Sequence, residues 1–113
     1  MSNRRVVVTG IGAITPIGNN LKDYWNSLTE GKSGAGPITL FDASNFKTKF
    51  ACEVKNFNPN DFIDRKQARK LDRFCQFALV VADQAFSDSG LSIDKINGDR
   101  AGVIWGSGIG GMN

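Results

Sequence analysis

The sequence predicts an α/β fold, and three features carry that prediction. Two short apolar runs are rich in β-branched residues and continuous rather than alternating, which is typical of strands covered on both faces. Two longer stretches repeat apolar residues at helical spacing. In chain order the elements read as strand, helix, an irregular region with one short strand, helix and strand.

The first strand and the first helix are predicted near the start of the chain. A β-branched run, "RRVVVTGIG" (Arg4 to Gly12), ends in a Gly-x-Gly turn and predicts the strand. In the following "TPIGNNLKDYWNSLTEG", Asn19 or Asn20 can cap a helix, and Gly31 stands where a glycine commonly ends one. The apolar residues of this helix recur at i, i+3, i+4 and i+7: Leu21, Tyr24, Trp25 and Leu28.

The second half of the chain predicts one long helix and a second buried strand. Residues 31–60 are irregular, with a weak strand signal from Lys49 to Val54. The stretch "DRKQARKLDRFCQFALVVADQAFSDSG" (64–90) predicts a single helix that Gly90 can end, because its apolar residues from Leu71 to Phe86 keep helical spacing. The strand "AGVIW" (Ala101 to Trp105) follows a polar link.

Composition excludes several kinds of catalytic site within these 113 residues. The chain contains no histidine, so it cannot supply a Ser-His-Asp triad, a Cys-His pair or a histidine metal site. Cys52 and Cys75 do not form a CxxC motif, and we expect both thiols to be reduced, buried and cytoplasmic. The opening apolar run is too short for a signal peptide or a membrane span. The net charge of +3 means that any basic function is local.

Two glycine-rich turns raise the question of a dinucleotide site. The stretch "GSGIGG" (106–111) fits G-x-G-x-x-G after a strand, but that motif needs a following helix whose amides meet the pyrophosphate. The sequence places no helix there. The first turn has Thr15 in place of the third glycine and Pro16 next. Tight turns at the ends of buried strands explain both stretches at least as well.

A cluster of cations lies in the first part of the predicted long helix. On one continuous helix these cations occupy an arc of roughly 140°, and several pairs repel each other at i,i+4. They also lie near the helix N-terminus, where the macrodipole disfavours positive charge. The arrangement favours an acidic partner, with or without phosphate groups, and an ordinary solvated helix face is the alternative. The cations are Arg65, Lys66, Arg69, Lys70 and Arg73.

Four stretches, in order and at the expected spacing, resemble the start of type II β-ketoacyl-[acyl carrier protein] synthases. They are "RRVVVTGIGAITPIGNN", "FDASNFKTKFACEVKNFNPNDFIDRKQARKLDRF", "ALVVADQAFSDSGL" and "GVIWGSGIGGM". The resemblance implies a thiolase-like α/β fold, of which residues 1–113 are an N-terminal fragment and part of the N-terminal domain. The fragment corresponds to about the first quarter of the family's chain.

The resemblance also implies a function in fatty acid biosynthesis, the decarboxylative condensation of acyl and malonyl groups on carrier proteins. The family's nucleophilic cysteine and two histidines lie beyond Asn113, so we expect no catalytic residue in this chain and no activity from it alone. No metal and no resident cofactor are expected, because phosphopantetheine arrives on the carrier protein. The implied partners are acyl carrier protein and a second subunit in a cytoplasmic homodimer, without nucleic acid or membrane.

Two groups of residues match functional positions of the family. The resemblance assigns Arg65, Lys66, Arg69 and Lys70 to the surface that docks acyl carrier protein. It assigns Gly108, Ile109 and Gly110 to the acyl pocket, with the Ile109 side chain near the growing fatty chain. Trp105 is bulkier than the aliphatic residue expected there.

Two other hypotheses remain open at the level of sequence. A small basic module that binds an acidic protein or nucleic acid requires a chain that folds cooperatively as a monomer. A dinucleotide enzyme requires a helix after Gly111. The synthase fragment instead predicts poor stability alone, because the strands Val6–Thr9 and Ala101–Trp105 would each lack sheet neighbours and helical cover.

Overall fold

The computed structural model describes residues 3–111, and the chain divides into two compact units. Unit 1 combines Met1–Gly12 with Pro59–Asn113, and unit 2 is the continuous stretch Ala13–Asn58. Each unit is held by its own turns, helices and side-chain hydrogen bonds.

Unit 2 contains one helix and a very short sheet. Helix α1 spans Leu21–Thr29, and the Asn20 side chain caps it by accepting a hydrogen bond of 2.9 Å from the Asp23 amide. Gly31 follows at φ +68°, the left-handed conformation that glycine adopts easily. The predicted helix, its cap and its terminal glycine are therefore confirmed.

The sheet of unit 2 is shorter than the sequence predicts. Strand β1 (Gly36–Pro37) pairs antiparallel with β2 (Phe50–Ala51), and Gly36 lies opposite Ala51. The strand signal from Lys49 to Val54 is thus confirmed over two residues only. One further backbone bond continues the pairing beyond Pro37, from the Ile38 amide to the Lys49 carbonyl at 3.0 Å.

Glu53 stabilises the loop that follows β1 through hydrogen bonds. Its carboxylate accepts hydrogen bonds from the Thr39 hydroxyl at 2.7 Å, from the Thr39 amide at 3.0 Å and from the Leu40 amide at 3.2 Å. The Thr39 bonds lower the pKa of Glu53 below its ordinary value of 4.5. Because the folded-state pKa is lowered, this stabilisation is present above that ordinary value and is lost as the pH falls through the lowered pKa.

Unit 1 is helical between its extended ends. Helix α2 spans Arg65–Ala68 and helix α3 spans Arg73–Asp88. Three single 3₁₀ turns flank these helices: Pro59–Asp61, Ile93–Lys95 and Gly98–Arg100.

The prediction of one continuous helix over residues 64–90 is wrong, because the chain breaks between α2 and α3. The Lys70 and Leu71 amides bond back only three residues, which tightens the end of α2. The Gln76 side chain then donates to the carbonyls of Ala68 at 2.9 Å and Leu71 at 3.2 Å. These bonds satisfy carbonyl groups that a continuous helix would have used for its own ladder.

The predicted strands at the two ends of the chain are absent from the described residues. Residues 4–12 and 101–105 are extended but belong to no sheet, and their apolar side chains are largely exposed. Val6 is 91% exposed and Ile104 is 99% exposed. A strand needs a neighbour to complete its backbone hydrogen bonds, and neither segment has one here.

The core of the described chain is correspondingly small. It consists of five buried apolar residues: Ala43, Phe57, Ile63, Ala68 and Val80. Most large apolar side chains of both units remain in contact with solvent. The exposed set includes the valines and the isoleucine of the two predicted strands, so their burial requires further protein.

The first Gly-x-Gly turn packs directly on the backbone of α3. A Cβ atom at Gly10 would collide with the Ala85 carbonyl, and one at Gly12 would collide with the Val81 carbonyl. The Ile11 amide between them donates to the Asp88 carboxylate at 2.9 Å. The two glycines are therefore required by close packing against a helix, which explains the turn without any phosphate.

We predict that Gly12→Ala destabilises the complete enzyme by about 1–3 kcal/mol, the usual cost of forcing an extra methyl group into occupied space. The control is Gly98→Ala, since a Cβ at Gly98 meets nothing within 4 Å. Urea denaturation of both variants measures the effect. Equal losses of stability in the two variants would contradict the packing role of Gly12.

Candidate functional site

The four cations assigned to docking, Arg65, Lys66, Arg69 and Lys70, form what we call the basic cluster. Asp64 positions the start of the cluster, because its carboxylate caps α2 through the Lys66 amide at 2.9 Å. All four side chains belong to exposed residues. Within the described residues they form no ion pair, so their charges face solvent.

The break between α2 and α3 changes the expected geometry of these charges. The arc of roughly 140° assumed one helix and is wrong, because Arg69 is the C-cap of α2 and Arg73 begins α3. The basic cluster occupies a single helical turn and the turn after it, so the expected macrodipole penalty of a long helix applies only to Arg73, in the first turn of α3. Arg73 lies 5.0 Å from the centre of the Phe77 ring, a cation–π contact on α3 itself.

Two members of the basic cluster border a shallow cleft. Arg65 and Arg69 line a space of about 290 Å³ whose remaining walls are Pro59, Asn60, Ala68 and Gln76. Gln76 therefore both ends α2 and forms part of the cleft wall. In the sequence, Gln76 stands out only as the single polar residue within the apolar run 74–82.

The residues assigned to the acyl pocket form an exposed turn. The Ser107 hydroxyl accepts a hydrogen bond of 3.0 Å from the Gly110 amide, which closes the turn. Gly110 has φ +80° and faces the Phe74 ring, so its conformation favours glycine. Ile109 is 80% exposed, and a Cβ at Gly108 would meet nothing within 4 Å. The assignment of this turn to an acyl pocket remains a prediction.

An apolar groove runs beside α3 in unit 1. Its volume is about 400 Å³, and Val103 and Trp105 of the second extended segment form one wall. Phe74 connects the groove with the terminal turn, since it lines the groove and contacts Gly110. The other lining residues come from the helical region: Gln67, Leu71, Cys75, Ala78, Leu79 and Ala82.

The two cysteines occupy different surroundings. Cys75 is half-buried in the apolar groove, whereas Cys52 is exposed, so the expectation that both are buried is wrong for Cys52. Both are free thiols.

Among residues 3–111 there is no group of three or more Cys, Asp or Glu side chains that could hold a metal ion. None of the helices in that range has the length and apolar character that crossing a bilayer requires.

Unit 2 contains a polar cavity that sequence reasoning did not identify. Its volume is about 470 Å³, and both charged and hydroxyl side chains line it. Lys55 forms part of the wall while its ammonium group bonds to backbone carbonyls. The lining residues are Thr15, Pro16, Ile17, Gly18, Asn19, Asp23, Ser27, Lys32, Ser33, Lys55 and Asn56.

Comparison with protein families gives a match over nearly the whole chain. The model described as "Beta-ketoacyl synthase, N-terminal domain" matches residues 3–113. The chain is 54% identical over 112 residues to "3-oxoacyl-[acyl-carrier-protein] synthase 2" of Synechocystis sp., covering 99% of this chain and 27% of that protein. The protein of the same name from Coxiella burnetii is also 54% identical, with the same coverage. That from Vibrio harveyi is 49% identical over 113 residues, again with 27% of its length covered.

A solved structure is similar to this chain in backbone path. "The ishigamide ketosynthase/chain length factor" superposes with a TM-score of 0.76 at 40% sequence identity. The superposition covers 84% of this chain and 24% of that chain. The present chain therefore spans about a quarter of the length of the proteins that it matches.

Proposed function

The chain belongs to the β-ketoacyl synthase family, and from this premise we propose that it is the N-terminal part of a 3-oxoacyl-[acyl-carrier-protein] synthase of fatty acid biosynthesis. The family and the thiolase-like fold class predicted from the sequence are confirmed. The observation that carries the proposal is the 54% identity to a synthase of that name over 99% of this chain.

The proposed reaction of the complete enzyme is a decarboxylative Claisen condensation. A cysteine thiolate takes the acyl group from one carrier thioester and releases the carrier thiol. A malonyl-carrier thioester then loses CO₂, and the carbanion attacks the enzyme thioester to give the 3-oxoacyl product and the free thiolate. Such covalent catalysis requires a nucleophile and oxyanion donors held together.

We place this catalytic centre outside residues 1–113. The chain has no histidine that could stabilise the oxyanion. Cys75 lies in an apolar groove, Cys52 is exposed after a two-residue strand, and the chain contains no histidine that could pair with either thiol. We therefore expect residues 1–113 to contribute binding surfaces and no catalytic group. The complete enzyme needs no metal of its own in this scheme.

The exposed apolar segments support a larger assembly. Val6, Val103 and Ile104 are nearly fully exposed in the described chain. Burying a side chain of this kind typically contributes about 1.5–3 kcal/mol, so exposure of several in one small chain is unfavourable. We propose that the remaining polypeptide of the synthase, together with a second subunit, supplies the missing sheet neighbours and cover.

The basic cluster is proposed as part of the docking surface for acyl carrier protein. Its four side chains are exposed and form no ion pair within residues 3–111, so an acidic partner can reach them. Charges in such a surface act mainly by steering and orienting the partner. We further propose that the phosphopantetheine arm enters from this side, that the enzyme is cytoplasmic, and that nucleic acid and membranes are not partners.

We predict that charge reversal in the complete enzyme, Lys66→Glu with Lys70→Glu, weakens the binding of acyl carrier protein. The dissociation constant should rise about tenfold or more at low salt, because complementary charges become repulsive. The difference should shrink as salt rises, since the Debye length falls from about 10 Å at 0.1 M to about 3 Å at 1 M. Fluorescence anisotropy of a labelled carrier protein measures the affinity.

The matched control is Lys47→Glu with Lys49→Glu, which changes the net charge equally at two exposed lysines of unit 2. This variant should bind nearly as tightly as the unaltered enzyme. A similar loss of affinity in both variants would show that the effect comes from the net charge and not from the basic cluster. Unchanged affinity of the Lys66→Glu, Lys70→Glu variant at low salt would show that the basic cluster is an ordinary solvated helix face.

We predict that Ile109→Phe in the complete enzyme shortens the longest acyl chain accepted. The larger ring would occupy space that the end of the fatty chain needs. Ile93→Phe is the control, because Ile93 is equally exposed at 81% and lies in a 3₁₀ turn outside the proposed pocket. Mass spectrometry of the acyl-carrier products gives the chain lengths. An unaltered distribution of product chain lengths would show that Ile109 does not line the acyl pocket.

A further inference from the structure

The ammonium group of Lys55 is surrounded by backbone carbonyl oxygens in unit 2. Its Nζ atom donates to the Gly34 carbonyl at 2.7 Å, to the Pro16 carbonyl at 3.3 Å and to the Glu53 carbonyl at 3.4 Å. An ammonium group has three hydrogen-bond donors and no acceptor. Three main-chain oxygens therefore lie within hydrogen-bond distance of the three donors of Lys55, although the residue as a whole is exposed.

The three carbonyls belong to segments that are distant in sequence. Pro16 lies in the turn that the Thr15 and Gly18 backbones close, Gly34 lies in the loop before β1, and Glu53 follows β2. The chain approaches closely at this point, since a Cβ at Gly34 would come within 2.7 Å of the Pro16 side chain. The Lys55 side chain thus joins the turn at Pro16 to the paired segments before β1 and after β2.

The backbone of Lys55 strengthens the same junction. Its carbonyl accepts a hydrogen bond of 2.8 Å from the Asn19 side-chain amide, which lies next to the cap of α1. Lys55 therefore binds the start of α1 through its carbonyl and the neighbouring turn through its ammonium. Both interactions border the polar cavity of unit 2.

We propose that the oxygens of Pro16, Gly34 and Glu53 form a monovalent-cation site that the Lys55 ammonium occupies permanently. Rings of backbone carbonyls bind K⁺ in other proteins because several oxygen dipoles converge on one charge. Here the cation is attached to the chain, so the site needs no ion from solution. Its role is positioning: it holds the turn 15–18 against the loop before β1 and so fixes the walls of the cavity. This inference is independent of the proposed condensation.

The first test uses the unmutated full chain and an amine-acetylating reagent. Acetylation of Lys55 must break its carbonyl bonds, and a hydrogen bond to a charged group is worth roughly a factor of ten or more. We expect Lys55 to be labelled at least about tenfold more slowly than Lys47, whose side chain makes no hydrogen bond within the described residues. Peptide mass spectrometry gives both rates. Equal rates would overturn the proposal.

The second test asks whether a free cation can replace the side chain. In Lys55→Ala of the full chain, amide exchange in residues 15–18 and 33–36 should rise about tenfold, whereas Lys47→Ala should resemble the unaltered chain. Propylammonium should restore part of the protection, but tetramethylammonium, which has no N–H donor, should not. Equal exchange in the two variants, or equal rescue by both ions, would contradict a carbonyl cation site. The labelling test remains decisive if Lys55→Ala does not fold.

Discussion

The unmet backbone hydrogen bonding of two apolar segments, Val6–Thr9 and Ala101–Trp105, is the constraint on which the rest of unit 1 depends. Neither segment belongs to a sheet, and the side chains that would lie in a sheet core are exposed. A β-branched apolar run is stable in this conformation only when neighbours complete its ladder and cover its faces. The chain spans about a quarter of the length of its relatives, and we propose that the remainder supplies those neighbours.

Helix α3 contacts both segments, each through a different part of the helix. Its later turns, at Val81 and Ala85, contact the Gly-x-Gly turn so closely that any side chain there would collide. Its earlier turns form an apolar groove with Val103 and Trp105. The helix thereby contacts both segments, and Phe74 extends the contact to the terminal turn. A proposed acyl pocket and a proposed docking surface thus depend on the same helical region.

The parts that could be predicted from the sequence are those set by local chemistry. Helix α1 follows from its apolar spacing, its asparagine cap and Gly31, all of which act within a few residues. The break after α2 could not be predicted from periodicity, because it depends on one side chain, Gln76, bonding to carbonyls five and eight residues back. The two end strands depend on partners far along the chain, so local propensity could indicate them but not pair them. The exposure of the basic cluster could be predicted from its charge. Nothing in the sequence, however, indicated that the Lys55 ammonium would bond to backbone carbonyls.

The central claim is that the segments Val6–Thr9 and Ala101–Trp105 become paired strands only within a complete synthase. Hydrogen–deuterium exchange of the Val6–Thr9 and Val103–Trp105 amides, compared between the 113-residue chain and the full-length enzyme, tests it most directly. The account predicts rapid exchange in the short chain and strong protection in the complete enzyme. Strong protection of both segments in the short chain alone would contradict it.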